Sequence, residues 1–450
     1  MEKYLRTYAE PEVTALDGLL GGLPPRDPWI NVLVIPACNE SPRFLRPPPP
    51  CDGRSLMILV INETDSASSA VSSSNQALAA TVRAQFEPQS EVACRPSGSG
   101  QDFQLELLRN PLNPRDVLLV DRFSEGRRLP VKGGVGHARK IGADLAAGLI
   151  HRRRIQSRWI HCSDADVQLP ETYFACSNAS RLQGVDYAAL VYPFRHGNAG
   201  YKAQQQDVLQ ATQLYELSLR YYVAGLQFAG SPYAFHTIGS TMAVNALHYA
   251  KVRGFPRREA GEDFYLLNKL AKVGPVLELE AGPDCEPIEI ESRRSDRVPF
   301  GTGAAVIRIA GLDDPARDFR FYHPAVFEGL KAWLRSWPGT WDSQSSELEV
   351  ILMKSEFGDH DSSEMQQALR AGLEKMKAGE ALDHAFRQSK DLEQFTRQMH
   401  TWFDAFRTLK LIHFLRDHAL PSVSYDGLGE GRDFVRRVKE TGSKGLSDGL

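Results

Sequence analysis

The sequence predicts an α/β protein: a mixed, largely parallel sheet flanked by helices, followed by an α-helical C-terminal region. Two observations lead there. Short apolar runs alternate with stretches of helical periodicity through roughly the first 300 residues, which is the pattern of βαβ units. After about residue 312, apolar residues recur at helical spacing instead. A chain of 450 residues has room for two or three domains.

Residues 1–28 are polar and rich in Gly and Pro, and read as a leading arm. The first strand is expected from Trp29 to Ile35, closed by Pro36, which cannot donate to a ladder. Ser55 to Ile61 is continuously apolar, as a strand buried on both faces should be. Ala67 to Gln85 is Ala- and Ser-rich and reads as helix. Residues 86–115 read as an irregular insertion. Asp116 to Asp121 is a third strand. Val135, Ala138, Ile141, Leu145 and Leu149 line one face of a helix over 134–153. Short strands follow at Arg158–Cys162 and Tyr187–Tyr192, then a Gln-rich helix over 203–227. The expected division is an arm (1–28), a catalytic domain (29–311), a helical region (312–425) and a loose tail (426–450).

Composition narrows the function. The formal charge is only −3, from 53 basic and 56 acidic residues, which argues against a nucleic-acid binder held by bulk charge. The longest apolar runs fall far short of the ~20 residues of a membrane helix. The opening MEKYLRTYAEPEV lacks an apolar core, so no secretory signal is expected. Six cysteines without a CxxC pair suit a reducing, cytoplasmic setting.

Five motifs carry chemistry. Asp164 and Asp166 follow an apolar strand at i and i+2, where strand ends open into a ligand crevice, and such oxygens suit Mg²⁺ or Mn²⁺ shared with phosphates. A solvated turn is the plain alternative. Pro36, Asn39 and Glu40 end the first strand, in a loop placed for a base or ribose. Lys132, Gly136 and Arg139 belong to a Gly-rich loop that opens a helix, where free amides favour an anion. That loop is neither GxxxxGK[ST] nor GxGxxG. Glu262 and Asp263 start a helix, either as dipole partners or as a general base. Arg293, Arg294 and Arg297 form a loop that can clamp a diphosphate or simply be solvated. His236 is a candidate third metal ligand and His323 its rival, each balanced against packing or capping. His161, Cys38 and Cys162 read as packing residues.

In this order, VIPACNE, GHARK, DAD, GSTMAV and GEDF, the motifs resemble the family-2-like nucleotide-sugar glycosyltransferases of soluble, non-processive type, across roughly residues 29–310. The resemblance implies a GT-A-type, Rossmann-like mixed sheet and a hexosyltransferase. It would take a nucleoside-diphosphate sugar donor and a small hydroxyl acceptor, with no nucleic acid and no membrane span. It implies that Pro36, Asn39 and Glu40 border the nucleotide. Asn62 stands where the family often has an Asp near the base. Lys132, Gly136, Arg139, Gly239 and Ser240 would line donor or acceptor, and Arg293, Arg294 and Arg297 would face the diphosphate. Asp164, Asp166 and His236 would hold Mg²⁺ or Mn²⁺. Asp263, or its neighbour Glu262, would face the acceptor hydroxyl. The QxxRW motif of processive members is absent, which points away from a polysaccharide synthase. A sugar-nucleotide pyrophosphorylase and a non-catalytic sugar-binding scaffold are the alternatives. The C-terminal aromatic series reads as core, with a homodimer face where any part is exposed.

Overall fold

The computed structural model describes residues 1–23, 27–45, 53–95, 101–178, 182, 184–197, 206–294, 301–353, 363–429 and 433–437. The strands are β1 (Val32–Ala37), β2 (Ser55–Asn62), β3 (Glu87–Cys94), β4 (Phe103–Arg109), β5 (Arg115–Arg122) and β6 (Trp159–Cys162). They continue as β7 (Val167–Gln168), β8 (Ala189–Val191), β9 (Phe194–Gly197), β10 (Met242–Asn245), β11 (Val276–Glu278) and β12 (Ile288–Glu291). The helices begin with α1 (Glu2–Thr7), α2 (Leu16–Gly21), α3 (Ser69–Gln85), α4 (Gly134–His151), α5 (Tyr173–Asn178), α6 (Gln206–Ala229), α7 (Ala246–Lys251) and α8 (Glu262–Leu270). The rest are α9 (Thr302–Ala310), α10 (Pro315–Asp318), α11 (Ala325–Ser343), α12 (Leu348–Met353), α13 (Ser363–Lys375), α14 (Ala378–Gln388), α15 (Leu392–Trp402) and α16 (Ala405–His418).

The chain divides into two compact units, 1–200 with 237–304, and 201–236 with 305–450. The first unit is the mixed α/β part. Its main sheet runs β11-β8-β10-β6-β1-β2-β5-β4-β3, and a small sheet runs β7-β12-β9. β6, β1, β2 and β5 pair in parallel, and β10 and β4 run antiparallel to their neighbours in the sheet. The chain steps from β1 to β2 and on to β5. Then α4 carries it back, so that β6 pairs on the other side of β1. That reversal makes the C-terminal ends of β1 and β6 a topological switch point, where open α/β sheets leave a crevice.

Two differences from the sequence reading have local causes. Residues 87–94 and 103–109 form edge strands rather than an irregular insertion. β3 is largely exposed, so it lacks the apolar run expected of a strand, and its Pro88 sits at an irregularity on the sheet edge. Pro36 lies inside β1 rather than closing it. Val34 accepts from Ser163 N–H at 3.0 Å, so alternate residues of β1 face β6. The β6 pairing stops at Val34, and Pro36, two residues on, faces no strand that needs its missing N–H.

The leading arm folds onto α4. Tyr4, Val13, Leu16 and Leu19 are buried. Asp144, fully buried on α4, accepts from the hydroxyls of Tyr4 and Tyr249, from Glu10 N–H at 2.8 Å and from Lys140 Nζ at 2.7 Å. Glu10 in turn holds Arg257 at 2.7 and 2.8 Å and lies 3.2 Å from His137 Nε2. Burial alone would raise the Glu10 carboxyl, but its bonds to His137 and Arg257 outweigh that and bring it down to about 2.

The second unit is helical, and includes α6, which the sequence reading had placed in the catalytic domain. Leu214, Leu217 and Tyr221 of α6 share a core with Val326, Phe327, Leu330 and Trp333 of α11, and with Phe395, Met399 and Phe403. The aromatic series is therefore mostly core. The expected loose tail begins inside that core, since Leu428, Phe434 and Val435 are buried. Among the described residues no helix is long and apolar enough to cross a membrane.

Replacing Asp144 with Ala would strand Lys140 in the interior. Breaking a buried pair on one side costs about 3–5 kcal/mol. The expected outcome in urea denaturation is a loss of that size, with faster proteolysis of residues 1–21.

Candidate active site at the sheet switch point

Two arginines organise the crevice. Arg139 lies on α4, and its guanidinium is almost wholly buried. It makes four hydrogen bonds. Nε donates to Glu262 Oε1 at 3.0 Å, Nη1 to the carbonyls of Ser163 (3.3 Å) and Gly239 (3.2 Å), and Nη2 to Asp164 Oδ1 at 2.8 Å. Burial alone would lower its affinity for a proton, but the Asp164 and Glu262 carboxylates more than reverse that. Gly239 is required here, because a Cβ would stand 2.9 Å from Nη2 of Arg139. The sequence placed Arg139 along a nucleotide. The structure makes it the internal fork that joins the Asp164 loop, the start of the GSTMAV segment and the first turn of α8.

Arg293 is the second organiser. It donates to both oxygens of Glu40, at 2.7 and 3.0 Å, and lies 2.7 Å from Asp166 Oδ2. The strand-end Glu40 and the second carboxylate of the DAD motif therefore share one guanidinium. Burial would lower the Arg293 proton affinity, and the surrounding carboxylates raise it overall.

Asn39 has φ +55, a left-handed conformation that Asn tolerates better than most residues. Its N–H donates to Asn75 Oδ1 at 2.9 Å. Asn75 Nδ2 donates to the Asn62 carbonyl at 3.2 Å and to Glu63 Oε2 at 3.1 Å. Asn75 and Glu63, both buried, thus tie the ends of β1 and β2 together. The sequence reading missed them. The signal was present: Asn75 lies at helical spacing with the buried Leu78, Ala79 and Val82.

Asp263 is half-buried, beside Glu262 at the start of α8. Burial first, and the Glu262 carboxylate second, push its carboxyl up to about 7. That suits a group that exchanges protons near neutral pH.

A cavity of about 250 Å³ opens beside the DAD segment. Of the residues singled out in the sequence, Glu40, Asp164 and Asp166 line it. Glu289 and Glu291 of β12 add two carboxylates the sequence reading did not assign, against Arg43 and Arg115. The lining is rich in carboxylates, each met by a guanidinium: Glu40 and Asp166 by Arg293, Asp164 by Arg139, Glu289 by Arg195 and Glu291 by Arg43.

The other expected residues that are described are not among those that line the cavity. Lys132 and Arg294 are exposed. The Gly136 N–H donates to the Arg258 carbonyl at 3.0 Å, and a Cβ there would stand 2.6 Å from that oxygen, so this glycine serves close packing of α4 on 256–259. Pro36, Asn62 and Ser240 are buried at strand ends or beside Gly239. His236 belongs to the second unit, and His323, in the same unit, accepts from Ala325 N–H at the start of α11. Arg297 lies outside the described residues. His161 is buried between Val32 O and Ser177 Oγ, its imidazole pushed down to about 4 by burial. Burial pushes the Cys162 thiol up to about 12.

Among the described residues no three His, Cys, Asp or Glu side chains converge as a metal cage. The donor chemistry still suits a hard divalent ion. Asp164 is about one-third exposed, and among the described residues its Oδ2 accepts no hydrogen bond. Mg²⁺ is commonly held by one or two carboxylates, with phosphates and water completing the shell.

Arg139→Lys keeps the charge but replaces a planar fork with a point. One of Glu262 or Asp164 then loses its partner. The expected outcome in urea denaturation is a loss of about 1–3 kcal/mol. No protein-family model matches this chain, and no curated protein matches it.

Proposed function

We propose that this chain is a cytoplasmic, metal-dependent glycosyltransferase that moves a hexose from a nucleoside-diphosphate sugar to a hydroxyl of a small acceptor. The observation that carries this reading is the carboxylate-lined crevice at the switch point. Asp164 and Asp166 line it, held by Arg139 and Arg293, and Arg139 is held in turn by Glu262, the neighbour of Asp263. Carboxylates so placed favour a diphosphate that arrives with a cation over a bare one.

Asp164 and Asp166 would hold Mg²⁺ or Mn²⁺. The ion would supply charge neutralisation for the diphosphate. Arg139 fixes the direction of the Asp164 carboxylate. Arg293 sets positive charge beside Asp166. Asp263 is the base: it takes the acceptor hydroxyl proton as that oxygen bonds to the anomeric carbon and the bond to the diphosphate breaks. Attack on the face opposite the leaving group gives inversion.

The pH dependence follows from the raised carboxyl. Below about 7 Asp263 keeps its proton and cannot act as base. Turnover should therefore rise with pH through about 7. A carboxyl raised on folding adds stability at acid pH, and that contribution disappears as pH rises through its folded value. Asp263→Asn should lose about 10²–10⁴-fold in turnover. It should keep donor binding, and show a smaller fall in stability between pH 5 and pH 8 than the parent. Calorimetric donor binding beside steady-state rates, with Glu262→Gln as the comparison, checks this. Normal turnover by Asp263→Asn removes the base assignment.

The metal role has its own test. A nucleoside diphosphate should raise the melting temperature more with Mn²⁺ or Mg²⁺ than with EDTA. At 100 times the dissociation constant the stabilisation is about 2.7 kcal/mol. Equal shifts in both conditions would remove the metal from the reading.

A further inference from the structure

We infer that Ser163 recognises a neutral hydroxylated ring, the sugar to be transferred, in the cavity beside the DAD pair. The inference rests on the glycosyl-transfer reading and adds the residue that reads the sugar.

The first observation is the state of the Ser163 side chain. The residue is 1% exposed and lines the cavity. Its N–H donates to Val34 O at 3.0 Å, and its carbonyl accepts from Arg139 at 3.3 Å. Both backbone groups are engaged in holding the fold. The hydroxyl has no hydrogen-bond partner among the described residues. An unpaired buried hydroxyl is unfavourable, and alanine would fill the position without that penalty. Of the polar groups of Ser163, the hydroxyl is the one left for a ligand.

The second observation is the cavity itself. Its volume of about 250 Å³ lies below the ~300–1,000 Å³ typical of whole-ligand pockets, so it accommodates one ring rather than an entire sugar nucleotide. Leu33, Ile35 and Phe44 give it a buried apolar wall. Its carboxylates, once ionised, can only accept hydrogen bonds. A group that pairs with those carboxylates must bring several donors, and the wall asks for an apolar face. An ionised phosphate brings acceptors only and has no apolar face. A sugar ring meets both conditions, with C–H groups against the apolar wall and hydroxyls toward the carboxylates. Ser163 Oγ then pairs with a ring hydroxyl next to Asp164.

The test uses the full chain with Mn²⁺ and isothermal titration. The probes are UDP, GDP and ADP, each beside its glucose or mannose conjugate. For the pair that binds the parent protein, Ser163→Ala should weaken the sugar nucleotide about three- to tenfold, the range of one hydrogen bond. Affinity for the nucleoside diphosphate alone should stay within about twofold. Ser163→Thr, which keeps a hydroxyl, should recover part of the loss. Equal weakening of conjugate and free diphosphate overturns the inference, and so does no weakening of either. If no sugar nucleotide binds the parent, the glycosyl-transfer reading falls. Free glucose, mannose and galactose are then titrated at 10–100 mM by thermal shift. A response present in the parent and lost in Ser163→Ala sustains the ring slot on its own, and no response overturns it as well.

Discussion

The guanidinium of Arg139 is buried among acceptors from three separate stretches of chain: Ser163 and Asp164 after β6, Gly239 before β10, and Glu262 at the head of α8. The β6–β10 ladder, with Cys162 opposite Met242, joins the first two stretches, and α8 lies outside that ladder. A planar fork with donors on three nitrogens can bind all of them at once, which a lysine cannot. Charge balance depends on the same contacts. An arginine buried this deeply needs its carboxylates, and Glu262, itself buried, needs its cation. Remove Arg139 or Glu262 and the other is left in a poorly solvated place without its buried partner.

The fork is only as well placed as the helix that carries it. α4 packs on β1 and β2, where Gly142 leaves no room for a Cβ beside Val34. The N-terminal segment grips the same helix through Lys140 and Asp144, and reaches 256–259 through Glu10 and Arg257. That second segment runs on directly into Glu262 and Asp263. Residues 1–21 therefore brace both sides of the Arg139–Glu262 contact, and their burial is part of how the site is built.

The legible part of the molecule was the part where a pattern has one physical cause. β2 and β5 are buried on both faces, and their unbroken apolar runs showed it. The spacing of α4 showed its buried face, and the DAD pair lay at a strand end as expected. The misses share a different cause. The arm looked polar because its charges are paired inside the fold, as with Glu10 and Arg257. β3 looked irregular because an edge strand needs no apolar run. Ser163 attracted no notice because one serine beside two aspartates reads as turn chemistry. Only the hydrogen-bond accounting, with both backbone groups engaged and the hydroxyl left over, distinguishes it. Glu289 and Glu291 alternate with isoleucines in β12, a period-two pattern that shows a strand but not which cavity its polar face meets.

The two carboxylates of the DAD pair stand in different electrostatic settings. The partner of Asp164 is buried, bound to three other acceptors, and cannot leave without stranding Glu262. Arg293, the partner of Asp166, has a side chain about one-quarter exposed and is shared with Glu40. Exposed ion pairs are weak because water competes for both members, whereas buried ones are costly to open. Asp164, though the more exposed carboxylate at 35% against 18% for Asp166, is paired with the guanidinium that cannot leave. Arg293 can release Asp166 while Glu40 still holds one side of it. In the proposed reaction this is a useful asymmetry. A guanidinium fixed beside Asp164 would keep the geometry of the donor constant from turnover to turnover. A guanidinium with a second carboxylate to anchor it can turn part of its fork toward a developing diphosphate charge without becoming a loose cation.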